Sequence, residues 1–350
     1  MFTKSGSLTT AFKTLRDKAL GAMFSLIRNI NKHRTVDPAI LLDLFDKLVV
    51  PIALYNSEIW GTSFLPQNPN VPNLIGNTAL SRHSIENLHH IFLKILLGVP
   101  TRTANWAVIS ETGRYPLALR AWEGVIKYWH HVGNTQSSIL SAALSTNVYL
   151  HKEGHTTWFS YLERILKYFN LEYLHCILDE RELSCQIGKT KGILQQHFKT
   201  KWIEDKSKFQ TNGKLELFTS LLGSFGFSEY LSKVTNPKHR IAITRMRVSA
   251  HKFPIEHGRY LKTTRADREC SLGCRVLGDE IHYMTNCSHP FIKEIITPAL
   301  NKINDCDNSF ERLDSKHKTN YMLMSSDPKI LSIVDQLCFK VHDKFKELTF

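Results

Sequence analysis

LTTAFKTLRDKALGAMFSLIRNI, residues 8–30, brings an apolar residue to every third or fourth position: Leu8, Phe12, Leu15, Ala19, Met23, Leu26 and Ile30. Basic and polar residues fill the intervals, so a helix would gather the apolar set into one stripe and leave the rest to water. Ser7 or Thr9 supplies an N-cap. Asp37-Pro38 then reads as a cap followed by a first-turn proline, opening a helix through Leu41, Phe45, Leu48, Ile52 and Tyr55 toward Trp60-Gly61. Pro51 lies inside that run and is expected to bend it or divide it in two.

The same period continues beyond. Residues 62–80, rich in Pro, Asn and Gly, read as an exposed connection. Ser84–Leu97 places Ile85, Leu88, Ile91, Phe92 and Ile95 on one helical face, and Gly98-Val-Pro100 ends it. From Pro116 to Val132, Leu119, Trp122, Ile126 and Trp129 share a stripe, a spacing that favours core packing over base stacking. Shorter helices follow, broken near Gly154, Gly188 to Gly192 and Gly213. Asn236-Pro237 caps a basic helix through Ser249, and Ile330, Ile333, Val334, Leu337, Val341 and Phe345 mark a last helix over 328–348. Nothing alternates with period two. The fold class expected is mainly α: helical bundle segments with a small C-terminal knuckle.

That knuckle is the chemistry-bearing motif. Cys270, Cys274, His282 and Cys287 form C-x3-C-x7-H-x4-C, a CCHC set of three thiolates and one imidazole able to close a tetrahedral zinc site. The alternative is chance clustering of three of seven cysteines beside one of seventeen histidines, against which the paired spacing argues. So short a loop has no apolar core of its own, so its folding energy would come from zinc. Asp279 and Glu280 are placed to orient the knuckle or to support His282 through its second nitrogen.

The rest of the composition narrows the class. An apolar content of 42% over 350 residues is that of a globular chain with two or three domains. A net charge of +13 favours polyanionic partners. The longest run free of Asp, Glu, Lys, Arg and His, Ile59 to Ser81, carries three prolines and four asparagines and so is no membrane helix. An odd number of cysteines without an apolar leader implies reduced or metal-bound thiols in an intracellular setting, nucleus or cytoplasm.

The charge concentrates before the knuckle. Lys238 to Arg268 holds nine Lys or Arg against Glu256 and Asp267. On a helix from Pro237, Arg240, Thr244 and Arg247 share one face suited to phosphate contacts, while Arg245 points away beside Ile241 and Val248, and Ile243 and Met246 form an apolar strip. With Lys252, Arg259, Lys262, Arg265 and Arg268 these arginines are the expected nucleic-acid contacts; a solvated charged face is the plainer reading. Tyr283 offers either a π-face to an unpaired base or a cover for the apolar side of the knuckle.

Several of these stretches resemble a known family. Arg240-Ile-Ala-Ile-Thr-Arg-Met-Arg-Val-Ser-Ala-His251, Pro254-Ile-Glu-His-Gly-Arg-Tyr260, and Arg265 and Arg268 before Cys270 look like the C-terminal region of non-LTR (LINE-type) retrotransposon reverse transcriptases. Ala19-Leu-Gly-Ala-Met-Phe24, Leu41 to Pro51 and Ser57-Glu-Ile-Trp-Gly61 resemble the helical segment just after the polymerase palm. Phe92 to Pro100, Ala104-Asn-Trp106 and Glu111-Thr-Gly-Arg114 continue the likeness in order. It implies a thumb-like segment at 1–65, a helical linker at 66–235, the basic helix and knuckle at 236–295 and a helical tail at 296–350. It also implies a grip on template RNA and target DNA.

Two departures qualify it. Related knuckles have two residues between the first cysteines, whereas Ser271, Leu272 and Gly273 intervene here and are expected to loosen the site. The chain also holds no Asp-Asp pair to carry the two metals of nucleotidyl transfer, nor the Arg/Lys-Pro-Asp pattern of a restriction-like nuclease. The expectation is therefore a non-enzymatic fragment, derivative or decayed copy of such a polyprotein, binding RNA or DNA and assisting a polymerase supplied by another chain. The alternative is a helical protein-interaction module with a purely structural zinc.

Other signals are weaker. Gly188-Lys-Thr190 lacks the earlier glycine of a phosphate loop, since Leu183 stands there. Cys176, Cys185 and His175 read as helix residues rather than a second metal site. The pairs His89-His90 and His130-His131 read as surface or boundary residues.

Overall fold

The stripe of residues 8–30 forms as the spacing predicts. In the computed structural model, which describes residues 9–31, 37–66, 75, 80, 83–211 and 215–349, Thr9–Asn31 is one helix. Phe12, Leu15, Ala19, Met23, Leu26 and Ile30 are all buried or half-buried, while Lys13, Asp17 and Lys18 face water. Ser7, Leu8, Gly213 and most of the connection between 67 and 82 lie outside the described residues. Pro51 divides the next run: Pro38–Leu48 is followed by a separate short helix, Val50–Ala53, with the proline in its first turn. Asp37 caps the first of these, its Oδ1 accepting from the Ala39 N–H at 2.8 Å.

The protein is mainly α. It divides into two units, neither contiguous in sequence. The first is drawn from Met1–Asn29, Asp43–His90 and Arg114–Asp205, the second from Ile30–Leu42, Ile91–Gly113 and Lys206–Phe350. In the first, the helix Leu117–Gly133 packs on Ser57–Trp60 and on the turn Gly61–Phe64. Trp122 is wholly buried there, its ring 5.7 Å from Phe169, so the tryptophan stripe is core.

Two expectations in this unit need correction. His89 and His90 are buried, not at the boundary. The Glu86 carboxylate, itself inaccessible, accepts from the Ala118 N–H at 3.2 Å and pairs with His89 Nδ1 at 3.2 Å, while the His89 ring stacks on Phe45. A carboxylate paired in this way can sit where the helical period alone would place an apolar residue. Nor do Gly188 and Gly192 break the chain, because Glu180–Thr211 is one uninterrupted helix. Ile187, Leu194, Phe198 and Trp202 are buried along it at helical spacing, and their burial outweighs roughly 1 kcal/mol per internal glycine.

In the second unit the helix Pro328–Thr349 is the hub. Pro237–Arg247, Pro290–Cys306, Ser315–Met324 and the turn His282–Asn286 all pack on it. Val334, Cys338 and Val341 are fully buried along its inner stripe. Gly113 ends the helix Asn105–Thr112 with φ +62°, and a Cβ there would meet the Phe227 backbone nitrogen at 2.4 Å. Only glycine permits both that conformation and that approach. The approach is fixed by the Ser228 N–H donating to the Glu111 carbonyl at 3.1 Å.

Candidate metal centre

Two local structures bring the four ligands together. The first is a tight reversal from Arg268 to Gly278. The Cys270 N–H donates to Val276 O at 2.7 Å and the Gly278 N–H to Arg268 O at 2.9 Å, with Glu269 and Leu277 bridged antiparallel. The widened Cys270–Cys274 spacing is absorbed here by Gly273 at φ +90°, a conformation that costs glycine little. The second is a π-turn, His282–Asn286, closed by the Cys287 N–H donating to His282 O at 2.9 Å. Residues five apart on an α-helix diverge by about 140°, whereas an i→i+5 turn stacks them. The π-turn therefore suits the x4 spacing of His282 and Cys287 where a continued α-turn would not.

Asp279 starts that turn, its Oδ1 accepting from the His282 N–H at 2.8 Å. Its support of the histidine is thus through the backbone. Glu280 turns elsewhere, accepting from Ser249 Oγ at 2.6 Å and pairing with His251 Nε2 at 2.8 Å. Burial alone would raise its pKa, yet His251 and Ser249 hold it below the usual range.

The donor atoms of Cys270, Cys274, His282 and Cys287 all lie within 4.8 Å of one another and can hold one metal ion. Cys274 Sγ is 3.8 Å from Cys287 Sγ and 3.3 Å from Ser288 Oγ. Cys270, His282 and Cys287 are buried, and His282 Nε2 is inaccessible without a hydrogen-bond partner. Such an orphaned nitrogen among thiols fits a ligand set. The neighbouring Cys287 thiol, with His282 and Tyr283, holds Cys270 far below the ordinary thiol range, while Cys287 is pushed up by the same contact.

Tyr283 is fully buried and donates its hydroxyl to Cys270 Sγ at 3.3 Å. Of the two readings of this residue the structure leaves only the inward one: no face of its ring is free to meet a base. Its ring packs on Phe253 at 4.4 Å and Phe345 at 5.0 Å.

The basic residues divide in a way the helical wheel did not suggest. Arg247, expected on the phosphate face, is buried. Its Nε donates to Glu111 Oε1 at 2.5 Å, its Nη2 to Glu111 Oε2 at 3.2 Å, and its Nη1 to the Leu323 carbonyl. Thr244 is buried on the same side, bonded to the Tyr230 hydroxyl at 2.7 Å. The face of Arg240, Thr244 and Arg247 therefore points into the protein, and Arg245 is the exposed one. Arg240 is half-buried, its Nη1 donating to the Val234 carbonyl at 3.1 Å. Arg268 is spent on the Thr263 and Ile255 carbonyls, pinning the approach to the knuckle. Arg259 pairs with Glu256 at 2.9 Å, and exposed Arg265 pairs with Glu216 at 2.7 Å. Arg245, Lys252 and Lys262 are exposed to solvent.

Glu111, the counter-charge of Arg247, stands 136 residues away in sequence, and no local signal announces it. Lys238, Arg102 and Lys346 likewise gain meaning only in the fold: with Arg245 and Lys252 they surround one cavity of about 550 Å³ in the second unit. Among the described residues no helix is long and apolar enough to cross a membrane. No protein-family model matches the chain, and no curated protein or solved structure matches it.

Proposed function

We propose that this protein binds nucleic acid without catalysing a reaction on it, and that one zinc ion organises the binding unit. The observation that carries the partner is the convergence of five cations on a single cavity, Arg102, Lys238, Arg245, Lys252 and Lys346, beside one acid, Asp343. Such a group neutralises phosphates and releases condensed counterions. The likeness to the post-polymerase region of LINE-type reverse transcriptases points the same way, and the sequence offers no paired aspartates for polymerisation.

Zinc is the ion the donors suit best. Three thiolates and an imidazole are soft and borderline ligands, and Zn–S bonds of about 2.3 Å give a tetrahedral S···S edge of about 3.8 Å. The Cys274–Cys287 separation is 3.8 Å. Filled in this way the set leaves no open position, so the zinc is structural.

The test has two arms. Mass spectrometry of the intact protein is expected to show about one zinc per chain, lost in Cys274→Ser; a metal-free wild type would remove the site. Titration with single-stranded RNA, single-stranded DNA and duplex DNA across a salt series is expected to give affinity that falls steeply with salt. Affinity indifferent to salt would reject the electrostatic grip. A protein-interaction module is the second reading, and the helix Ser138–Lys152 favours it by burying none of its side chains and exposing Ile139 and Tyr149.

A further inference from the structure

The cavity carries more than charge. Its rim is cationic, but its lining also includes Ile241, Phe339, His342 and Phe345. A site for free phosphate alone needs no apolar wall, and about 550 Å³ exceeds what a tetrahedral anion fills. An apolar, ring-bearing wall beneath a ring of Lys and Arg is the combination that takes an unpaired base with its phosphate: the base against rings, the phosphate among cations. Paired bases cannot enter, because their faces are already stacked.

The wall is fastened to the metal centre. Phe345 lies 5.0 Å from Tyr283 and 4.9 Å from Phe253. His342 stacks on Phe253 at 5.4 Å with ring planes 15° apart. Tyr283 in turn is hydrogen-bonded to Cys270. One hydrogen bond and one ring contact thus run from Cys270 through Tyr283 to Phe345 in the cavity wall. His342 adds a polar feature, a ring nitrogen, Nε2, that has no partner.

Resting on the nucleic-acid reading above, we infer that this cavity seats one unpaired nucleotide of a single strand, its base against the half-buried ring of Phe339, with buried Phe345 completing the wall, and its phosphate between Lys238, Arg245 and Lys346. The metal centre does not touch the strand. It positions the wall through Tyr283 and Phe253.

The experiment uses the full-length, zinc-loaded protein and fluorescence anisotropy with three probes: a short single-stranded RNA, the matching DNA, and the same DNA strand made abasic throughout. Two variants are compared with wild type: the triple charge reversal Lys238→Glu/Arg245→Glu/Lys346→Glu, and Phe339→Ala. Circular dichroism checks that each remains folded. The base-bearing strands are expected to bind at least about fivefold tighter than the abasic one. The triple reversal is expected to weaken all three probes and flatten their salt dependence, and Phe339→Ala to weaken only the base-bearing ones. An abasic strand bound as tightly as its parent, or a folded triple variant that binds like wild type, overturns the cavity while leaving nucleic-acid binding intact. Failure of every probe to bind wild type overturns the underlying reading instead. Should Phe339→Ala fail to fold, a 2-aminopurine placed in the strand decides, because its emission changes on insertion and stays constant if no base enters.

Discussion

Replacing Glu111 by alanine should unfold the second unit far more readily than a surface change would. The Glu111 side chain is fully buried and that of Arg247 is 6% exposed. The guanidinium spends two donors on Glu111 and one on the Leu323 carbonyl, and it lies over the Tyr230 ring at 5.0 Å. Without the carboxylate a full positive charge remains inside with one backbone acceptor, at a cost of about 3–5 kcal/mol. Arg247→Met removes the charge instead. The carboxyl it strands can take up a proton, so its cost should be smaller. The double change Glu111→Ala/Arg247→Met removes both charges and should recover much of the loss, since an apolar replacement of a buried pair is often near neutral. Urea unfolding followed by far-UV circular dichroism, with hydrogen exchange to locate the affected unit, measures all three. A loss under about 1 kcal/mol for Glu111→Ala, or a double variant equal to the sum of the singles, would refute the ion-pair account. The pair also bears on binding: Arg247→Met, wherever it is folded, should hold single strands as wild type does.

Tyr283→Phe deletes the hydroxyl on Cys270 and should weaken metal retention about 10- to 100-fold, read by competition with a chromophoric chelator; unchanged retention would deny the hydrogen bond a role. Chelation of the bound metal should lower thermal stability and return on adding zinc, with protons released as the thiols are metallated. His89 is inaccessible and burial lowers its pKa from near 6.5 to about 3. The unfolded chain therefore protonates first, so this contribution is complete above pH 6.5 and drains away as pH falls toward 3. Between pH 6.5 and 5.5 wild type should lose about 1 kcal/mol more than His89→Gln, and parallel pH profiles for the two would contradict the assignment. Gly113→Ala should destabilise more than Gly188→Ala, because the first Cβ meets the Phe227 backbone and the second meets nothing within 4 Å; equal melting temperatures would sink that ranking.

What the sequence revealed followed from short-range physics. Helix period and capping residues announce Thr9–Asn31, Ser84–Leu97, Pro237–Arg247 and Pro328–Thr349, since each depends on residues within a turn or two of one another. The ligand set was legible for the same reason, its members being close in the chain. The orientation of the basic helix was not. Which side of Pro237–Arg247 faces inward is decided by Glu111 and the long C-terminal helix, both far away in sequence, together with Tyr230 on the segment just before the helix. A wheel shows that Arg240 and Arg247 share a face, but charge alone does not say that a partner carboxylate waits there. Tyr283 escaped for a related reason. A tyrosine next to a ligand histidine is equally suited to a base or to a thiolate, and only the position of Cys270 Sγ decides between them.

The interleaving of the two units limits how the molecule can be cut. A piece starting after Gly113 would keep the knuckle, the basic helix and all four metal donors, and by its sequence it would pass for a complete binding module. It would also carry Arg247 without Glu111 and Arg245 without the Gly98 carbonyl that accepts from its Nε at 2.9 Å. Such a piece would hold its metal and still aggregate, so a negative binding result from it would report on the excision and not on the protein.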